Sequence, residues 1–357
     1  MNDKVISFPI LADYNTPIKF MIEKMTNYEV RLSPKMTKNT LEIGSKYSPD
    51  YACLPFKYTL GNYIETLENG ANVIMQAGGG CRFGYYFELQ KQILSDLGYN
   101  FEFYSLTESD VNGISSIYKT LKNLNPNIKR VRYLYYLLLT FLMIYYMDKL
   151  DMYIRKNVGF EINKGSFDRV KKSMLTKFSK TRGFLDLIKT YYYYRKKFKN
   201  IALDKPKNCL KVGIVGELYT SMEPHSSYFI ERELANMNVE VTRYTNVTFL
   251  LITKRFKEKY YLRKIKKYCK FTMGADAMDN VARAKILIKK GYDGIIHIKP
   301  FGCVPEIGAM KVLENLCDDE KIPIMFLTFD TNTSELGIKT RLEAFHDMLL
   351  MRRGNEK

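Results

Sequence analysis

The sequence predicts an α/β protein made of two α/β domains with a helical insert between them, and three observations carry that reading. Strand-like and helix-like patterns alternate over roughly the first hundred residues, which is how layered α/β folds read. The pattern then changes to long helical segments rich in Tyr, Leu and Lys. After the polar, proline-bearing stretch Asp204-Lys205-Pro206-Lys207-Asn208 the alternation resumes. The expected domains are therefore an N-terminal α/β domain over 1–106, a helical insert over 107–207 and a C-terminal α/β domain over 208–357.

Taken in order, Val5–Phe8 reads as a first strand, Pro17–Met25 as a helix, Tyr28–Leu32 as a strand and Thr37–Leu41 as a short helix. A helix over Gly61–Asn69, a buried strand over Asn72–Gln76 and a helix over Gly84–Leu97 follow, and Phe101–Tyr104 closes the unit. The second half opens with a strand at Leu210–Val215, then a helix over Ser227–Met237 and a strand over Val239–Tyr244. Next come a lysine-rich helical stretch, a helix over Ala277–Lys290, a strand over Gly294–Ile298 and a helix over Glu306–Leu316. A strand over Ile324–Phe329 and a helix over Thr340–Met351 complete it.

A chain of 357 residues can bury its own cores without a staple. Its six cysteines are too sparse for a secreted disulfide scaffold, and the N-terminus has no h-region with a small-residue cleavage site, so a reducing cytoplasm is expected. The longest apolar stretch, Tyr133–Met147, would rise roughly 22 Å as a helix, short of the ~30 Å hydrocarbon core. A buried helix is the expectation and no membrane span, although its tyrosines and basic flanks would also suit a membrane surface. The net charge of +18 invites nucleic acid, but the basic residues crowd the middle of the chain rather than the Gly- and Cys-bearing segments. No nucleic acid is expected; an anionic ligand or an acidic partner would use the same field.

Two segments share a Cys-x-Pro pattern, Cys53-Leu54-Pro55 and Cys303-Val304-Pro305, read as the tips of strands or loops. Proline two residues on fixes φ and stiffens the backbone after the thiol. A third cysteine sits in Gly78-Gly79-Gly80-Cys81-Arg82-Phe83-Gly84, between a strand and a helix, where free amides and a helix dipole lower a thiol pKa. Cys209, Cys269 and Cys317 read as small buried hydrophobes. The wide spacing of Cys53, Cys81 and Cys303 lacks the C-x2-C pairs of common ferredoxins and zinc ribbons, and the count of only three histidines argues against a histidine-rich metal site. His297 reads as a satisfied core residue. No Walker loop, nucleophile elbow or complete Gly-x-Gly-x-x-Gly is present.

The runs Tyr51-Ala52-Cys53-Leu54-Pro55-Phe56-Lys57, Leu60-Gly61-Asn62-Tyr63-Ile64-Glu65 and Gly80-Cys81-Arg82-Phe83-Gly84-Tyr85-Tyr86 resemble the 2-hydroxyacyl-CoA dehydratase and benzoyl-CoA reductase family. Within it they resemble the stand-alone CoA-substrate-specific enzyme activases, or CoA protein activases. Val215-Gly216-Glu217-Leu218-Tyr219, Phe301-Gly302-Cys303-Val304-Pro305-Glu306 and Thr340-Arg341-Leu342-Glu343-Ala344-Phe345 agree. The resemblance implies two Rossmann-like α/β domains facing across a cleft, with an oxygen-sensitive [4Fe-4S] cluster held there by Cys53, Cys81 and Cys303. It implies one open iron, low-potential electron transfer or radical acyl-CoA dehydration or reduction, and an ATP-dependent activator protein or an acyl-CoA as partner. A dimer is compatible with it.

Arg82 is expected either to neutralise cluster charge or hold an anionic ligand, or to be a plain surface arginine. Glu306 is expected to start a helix and face the cleft, either capping amides or standing near the open iron as a hydrogen-bonding partner or proton donor. The other reading, from a different class, is a non-catalytic scaffold that binds an acidic or nucleotide-bearing partner through its Lys- and Tyr-rich middle.

Overall fold

The structure, a computed structural model, describes residues 4–78, 81–106 and 113–355. The chain divides into two compact units, Met1–Met143 and Ile144–Lys357.

The first unit runs β1 (Val5–Ser7), α1 (Asn15–Thr26), β2 (Glu29–Val30), α2 (Lys38–Tyr47), α3 (Leu54–Glu68), β3 (Val73–Gln76), α4 (Tyr86–Asp96), β4 (Glu102–Ser105) and α5 (Gly113–Leu124). The start of α6 (Arg130–Asn157) also belongs to it. Its four strands lie parallel in the order β2-β1-β3-β4, with Ile6 opposite Val30 on one side and Val73 on the other. Ile6, Ile74 and Met75 have no exposed surface, as expected of strands covered on both faces by helices.

Helix α2 starts on a reciprocal cap: Thr37 Oγ1 accepts from the Thr40 amide and Thr40 Oγ1 from the Thr37 amide. It then crosses α3 through two glycines. A Cβ on Gly44 would fall 1.8 Å from the Lys57 carbonyl oxygen, and one on Gly61 would fall 1.9 Å from that of Thr40. Only hydrogen fits at either position.

The second unit holds the end of α6, then α7 (Ser166–Ser179), α8 (Phe184–Lys199), β5 (Lys211–Gly216), α9 (Leu218–Met222), α10 (Ile230–Asn236) and β6 (Glu240–Arg243). A π-helix (Phe249–Thr253) leads into α11 (Lys254–Lys264), followed by α12 (Ala277–Lys289), β7 (Gly294–Pro300), α13 (Val304–Asp319), β8 (Ile324–Phe329) and α14 (Glu335–Asn355). Its sheet is again parallel, in the order β6-β5-β7-β8. Ala277, Val281, Ala284 and Leu287 of α12 pack with Leu313 and Leu316 of α13 and Ile295 of β7 in its core. The protein is thus α/β, with two four-stranded parallel sheets of the same connectivity.

Of the segment expected as one insert, residues 107–112 lie outside the described residues, α5 and the start of α6 belong to the first unit, and α7 and α8 to the second. The apolar run in α6 is only partly buried: Leu137, Leu139, Met143 and Met147 are enclosed, while Leu134 and Leu138 are exposed. Among the described residues no helix is long and apolar enough to cross a membrane. Both Cys-x-Pro segments start helices, with the cysteine as N-cap and the proline in the first turn; Cys303 lies at the tip of β7, and Cys53 ends the loop after α2. Proline there supplies a preset φ and lacks only an amide that would have gone unpaired, so α3 begins at Leu54 and not at Gly61. Cys53 accordingly follows α2, not a strand.

Candidate functional site

In each sheet the chain first steps outward, then returns to the other side of its starting strand, so the order reverses between β1 and β3 and between β5 and β7. Parallel sheets open a crevice at the carboxyl ends of such a pair, where ligands bind. The sequence places a cysteine shortly after the second strand of each pair: Cys81 after β3 and Cys303 after β7.

In the first unit Cys81 is exposed and extended (φ −149°, ψ −163°), and its thiol accepts from the Phe83 amide at 3.4 Å as the N-cap of a 3-10 turn, Arg82–Tyr85. Gly79 and Gly80 before it lie outside the described residues. Cys53, half-buried at the start of α3, has its Sγ 2.6 Å from the Oη of Tyr86, the first residue of α4. The Tyr86 ring meets Phe56 edge-on at 4.8 Å and Phe83 at 5.2 Å. Burial pushes the Tyr86 phenol well above its usual pKa; the neighbouring Cys53 and Cys81 push the same way, and the Arg82 guanidinium opposes them. Cys53, Cys81 and exposed Arg82 therefore all act on one phenol, with two thiols at hand as soft donors.

In the second unit the surroundings are polar. Gly216 ends β5 at φ +149°, and a Cβ there would lie 1.9 Å from the Ile298 carbonyl oxygen, so glycine lets β5 close on β7 at the crevice. Glu217 follows, its carboxylate accepting from the amides of Tyr219 and Thr220 and from Thr220 Oγ1. Burial pushes Glu217 up to about 7, helped by Asp276 and opposed by those three bonds.

Cys303 is half-buried at the N-cap of α13. Nearby Lys299 is buried; burial lowers its pKa, and the proximity of Cys303 and Glu306 works against that. Glu306 does lie in the first turn of α13, yet its carboxylate is 1% exposed and turned inward. Oε2 lies 2.7 Å from His297 Nε2, and Oε1 accepts from Asn280 Nδ2, which also donates to the Gly216 carbonyl. The carboxylate so joins β7, α12 and α13 rather than presenting itself to solvent or to helix amides. His297 is fully buried, as expected, but only half satisfied: its Nδ1 meets no hydrogen-bond partner among the described residues.

The remaining cysteines are enclosed. Burial pushes Cys317 up to about 12 and raises Cys209, so both stay protonated at neutral pH. Cys269, which follows α11 rather than lying in it, donates its thiol to the Phe271 carbonyl at 2.6 Å. None of the three has the exposure of a ligand, in contrast with Cys53, Cys81 and Cys303. Sequence reasoning did not single out Tyr86, Lys299, Glu217 or Asn280; for Tyr86 the only signal was its place in the Gly-Cys-Arg run.

Among the described residues no group of three or more His, Cys, Asp or Glu side chains is placed to hold a metal ion; the first unit contributes a pair of thiols. In comparisons with known proteins no family model matches the chain and no curated protein gives a match.

Proposed function

We propose that the chain is a [4Fe-4S]-binding redox protein of the acyl-CoA dehydratase and activase kind that its motifs resemble. In this reading Cys53, Cys81 and Cys303 are the ligands, and the two α/β units face each other across the cleft that holds the cluster. The observation that carries it is the contact of Cys53 Sγ with the Tyr86 phenol at 2.6 Å, in the segment that also carries Cys81, whose charge acts on the same phenol. Cys303 stands at the crevice end of the second unit's sheet, and the three cysteines outside the proposal are buried.

Thiolates are the donors such clusters take, and a three-thiolate cluster would supply one-electron transfer and an iron open to a thioester. The chain's own residues have definite tasks in it. The Tyr86 hydroxyl donates to the Cys53 thiolate, lowering the charge that sulfur carries. The Lys299 ammonium offsets negative charge at Cys303. Exposed Arg82 offers a cation beside Cys81 to the cluster or to an anionic ligand.

The test is iron and acid-labile sulfide after strictly anaerobic purification, for the parent and for alanine at each cysteine. Changes at Cys53, Cys81 and Cys303 should strip or convert the cluster, and changes at Cys209, Cys269 and Cys317 should leave it. A stable, colourless parent that takes up no iron on reconstitution would refute the proposal and leave the scaffold reading.

A further inference from the structure

From Lys254 to Lys270 the chain carries nine Lys or Arg and a single acidic residue, Glu258. One face of this stretch is spoken for: Tyr261, Ile265 and Cys269 are buried in the core of the second unit, and Tyr261 stacks on Phe249 at 6.0 Å, with the Arg283 guanidinium 3.9 Å from the Phe249 ring centre. The other face is open and carries two kinds of side chain. The π-helix exposes Leu250, Leu251 and Ile252 in succession, and one helical turn on Phe256 is 80% exposed, with Tyr260 a further turn along. Beside Phe256 and Tyr260, Arg255, Lys259 and Arg263 form a row at helical spacing, with Lys257 on the opposite flank. Among the described residues no acidic side chain pairs with Arg255, Lys257, Lys259 or Arg263, whereas Lys254 and Lys267 are held by Asp276 and Asp319.

Exposed apolar groups flanked by cations fit one kind of partner, an anionic lipid surface: the side chains enter the acyl boundary while lysine and arginine reach the headgroups. Nucleic acid would use the cations and stack bases on aromatic rings, but it has no use for three adjacent aliphatic side chains. An exposed aliphatic run costs solubility unless something covers it.

We infer that the π-helix and α11, over residues 250–263, form a peripheral docking surface for anionic membranes. The inference does not depend on the proposed cluster. The experiment is co-sedimentation of the full chain with phosphatidylcholine vesicles, with and without phosphatidylserine. Binding should require phosphatidylserine and weaken steeply with added salt. Each cation replaced by glutamine, at Lys257, Lys259 or Arg263, should lower the partition coefficient about fivefold. Leu251→Ser with Ile252→Ser should lower it roughly tenfold. These side chains are exposed, so circular dichroism should not change; the salt series on the parent needs no variant at all. No sedimentation with phosphatidylserine vesicles at low salt would overturn the inference, as would unaltered binding by well-folded variants. Binding of a single-stranded oligonucleotide through these same cations, without vesicle binding, would overturn it in favour of nucleic acid.

Discussion

The two sheets share one strand order and parallel connectivity, yet the crevice ends they present are built from different physics. In the first unit Cys53 sits against Tyr86, whose ring meets Phe56 and Phe83, and α3, which carries Cys53, is fixed by the glycine crossing with α2. In the second unit the corresponding place is lined by buried polar and ionisable side chains, Glu306, His297, Asn280, Glu217 and Lys299, and elsewhere in that unit Glu231 pairs with Arg155 and Arg243. Steric fit is indifferent to pH; buried charge is not. One topology can therefore hold a cysteine-bearing helix start by two independent means.

The largest effect that could break this contrast is Gly61→Val. The new side chain would press on the Thr40 carbonyl, a backbone atom with no rotamer to yield, and about 4 kcal/mol of stability should be lost. Denaturant titrations should show the same loss at pH 5 and pH 8. A loss that varies with pH would mean that the first unit also leans on charge.

Glu231→Gln comes next. Burial would raise the Glu231 carboxyl, but Arg155 and Arg243 overcome this and hold it down at about 2. A depressed carboxylate stabilises the fold above its ordinary range, near 4.5, and that contribution disappears as pH falls through about 2. The variant should lose about 2 kcal/mol at pH 7, discounted because Glu231 is partly exposed. The gap between parent and variant should narrow as pH falls below about 4.5 and close near pH 2.

Glu217 has the opposite sign. Its carboxyl is raised to about 7, so the folded state takes up a proton between about pH 4.5 and 7. Its contribution is complete below about pH 4.5 and is lost as pH rises through 7, a change of roughly 1–2 kcal/mol after screening. The parent should weaken from pH 5 to pH 8 by this amount, and Glu217→Gln should remove that slope. The smallest effect belongs to Tyr86→Phe. It keeps the ring contacts and removes one hydrogen bond, costing about 1 kcal/mol. It should also speed alkylation of Cys53 in the metal-free chain, read by mass spectrometry.

What the sequence disclosed follows from the range of the forces involved. The alternation of strands and helices, the start of α2 at Thr37 and the buried character of Cys209 and Cys317 all depend on residues near in sequence. The helix starts at Cys53 and Cys303 were local too, but Pro55 and Pro305 resemble helix breakers unless their place in the first turn is known. The pairings between residues distant in sequence were not legible. Tyr86 reaches Cys53 across 33 positions and Arg155 reaches Glu231 across 76, and no periodicity encodes which strands and helices will bring such partners together. Glu306 shows the limit most plainly: its helix was foreseeable, while its turn toward His297 depends on how α13 lies over β7.

The π-helix before α11 also bears on how the gene can tolerate change in length. A turn of this kind holds one residue more than an α-helical turn, a surplus that behaves like a stored insertion. Losing a single codon among Leu250, Leu251 and Ile252 should let the turn relax to ordinary α-helical winding, with Phe249 behind it and Tyr261 ahead still at their core positions. A codon lost within α11 itself has no such slack and would rotate Tyr261 about 100° away from Phe249.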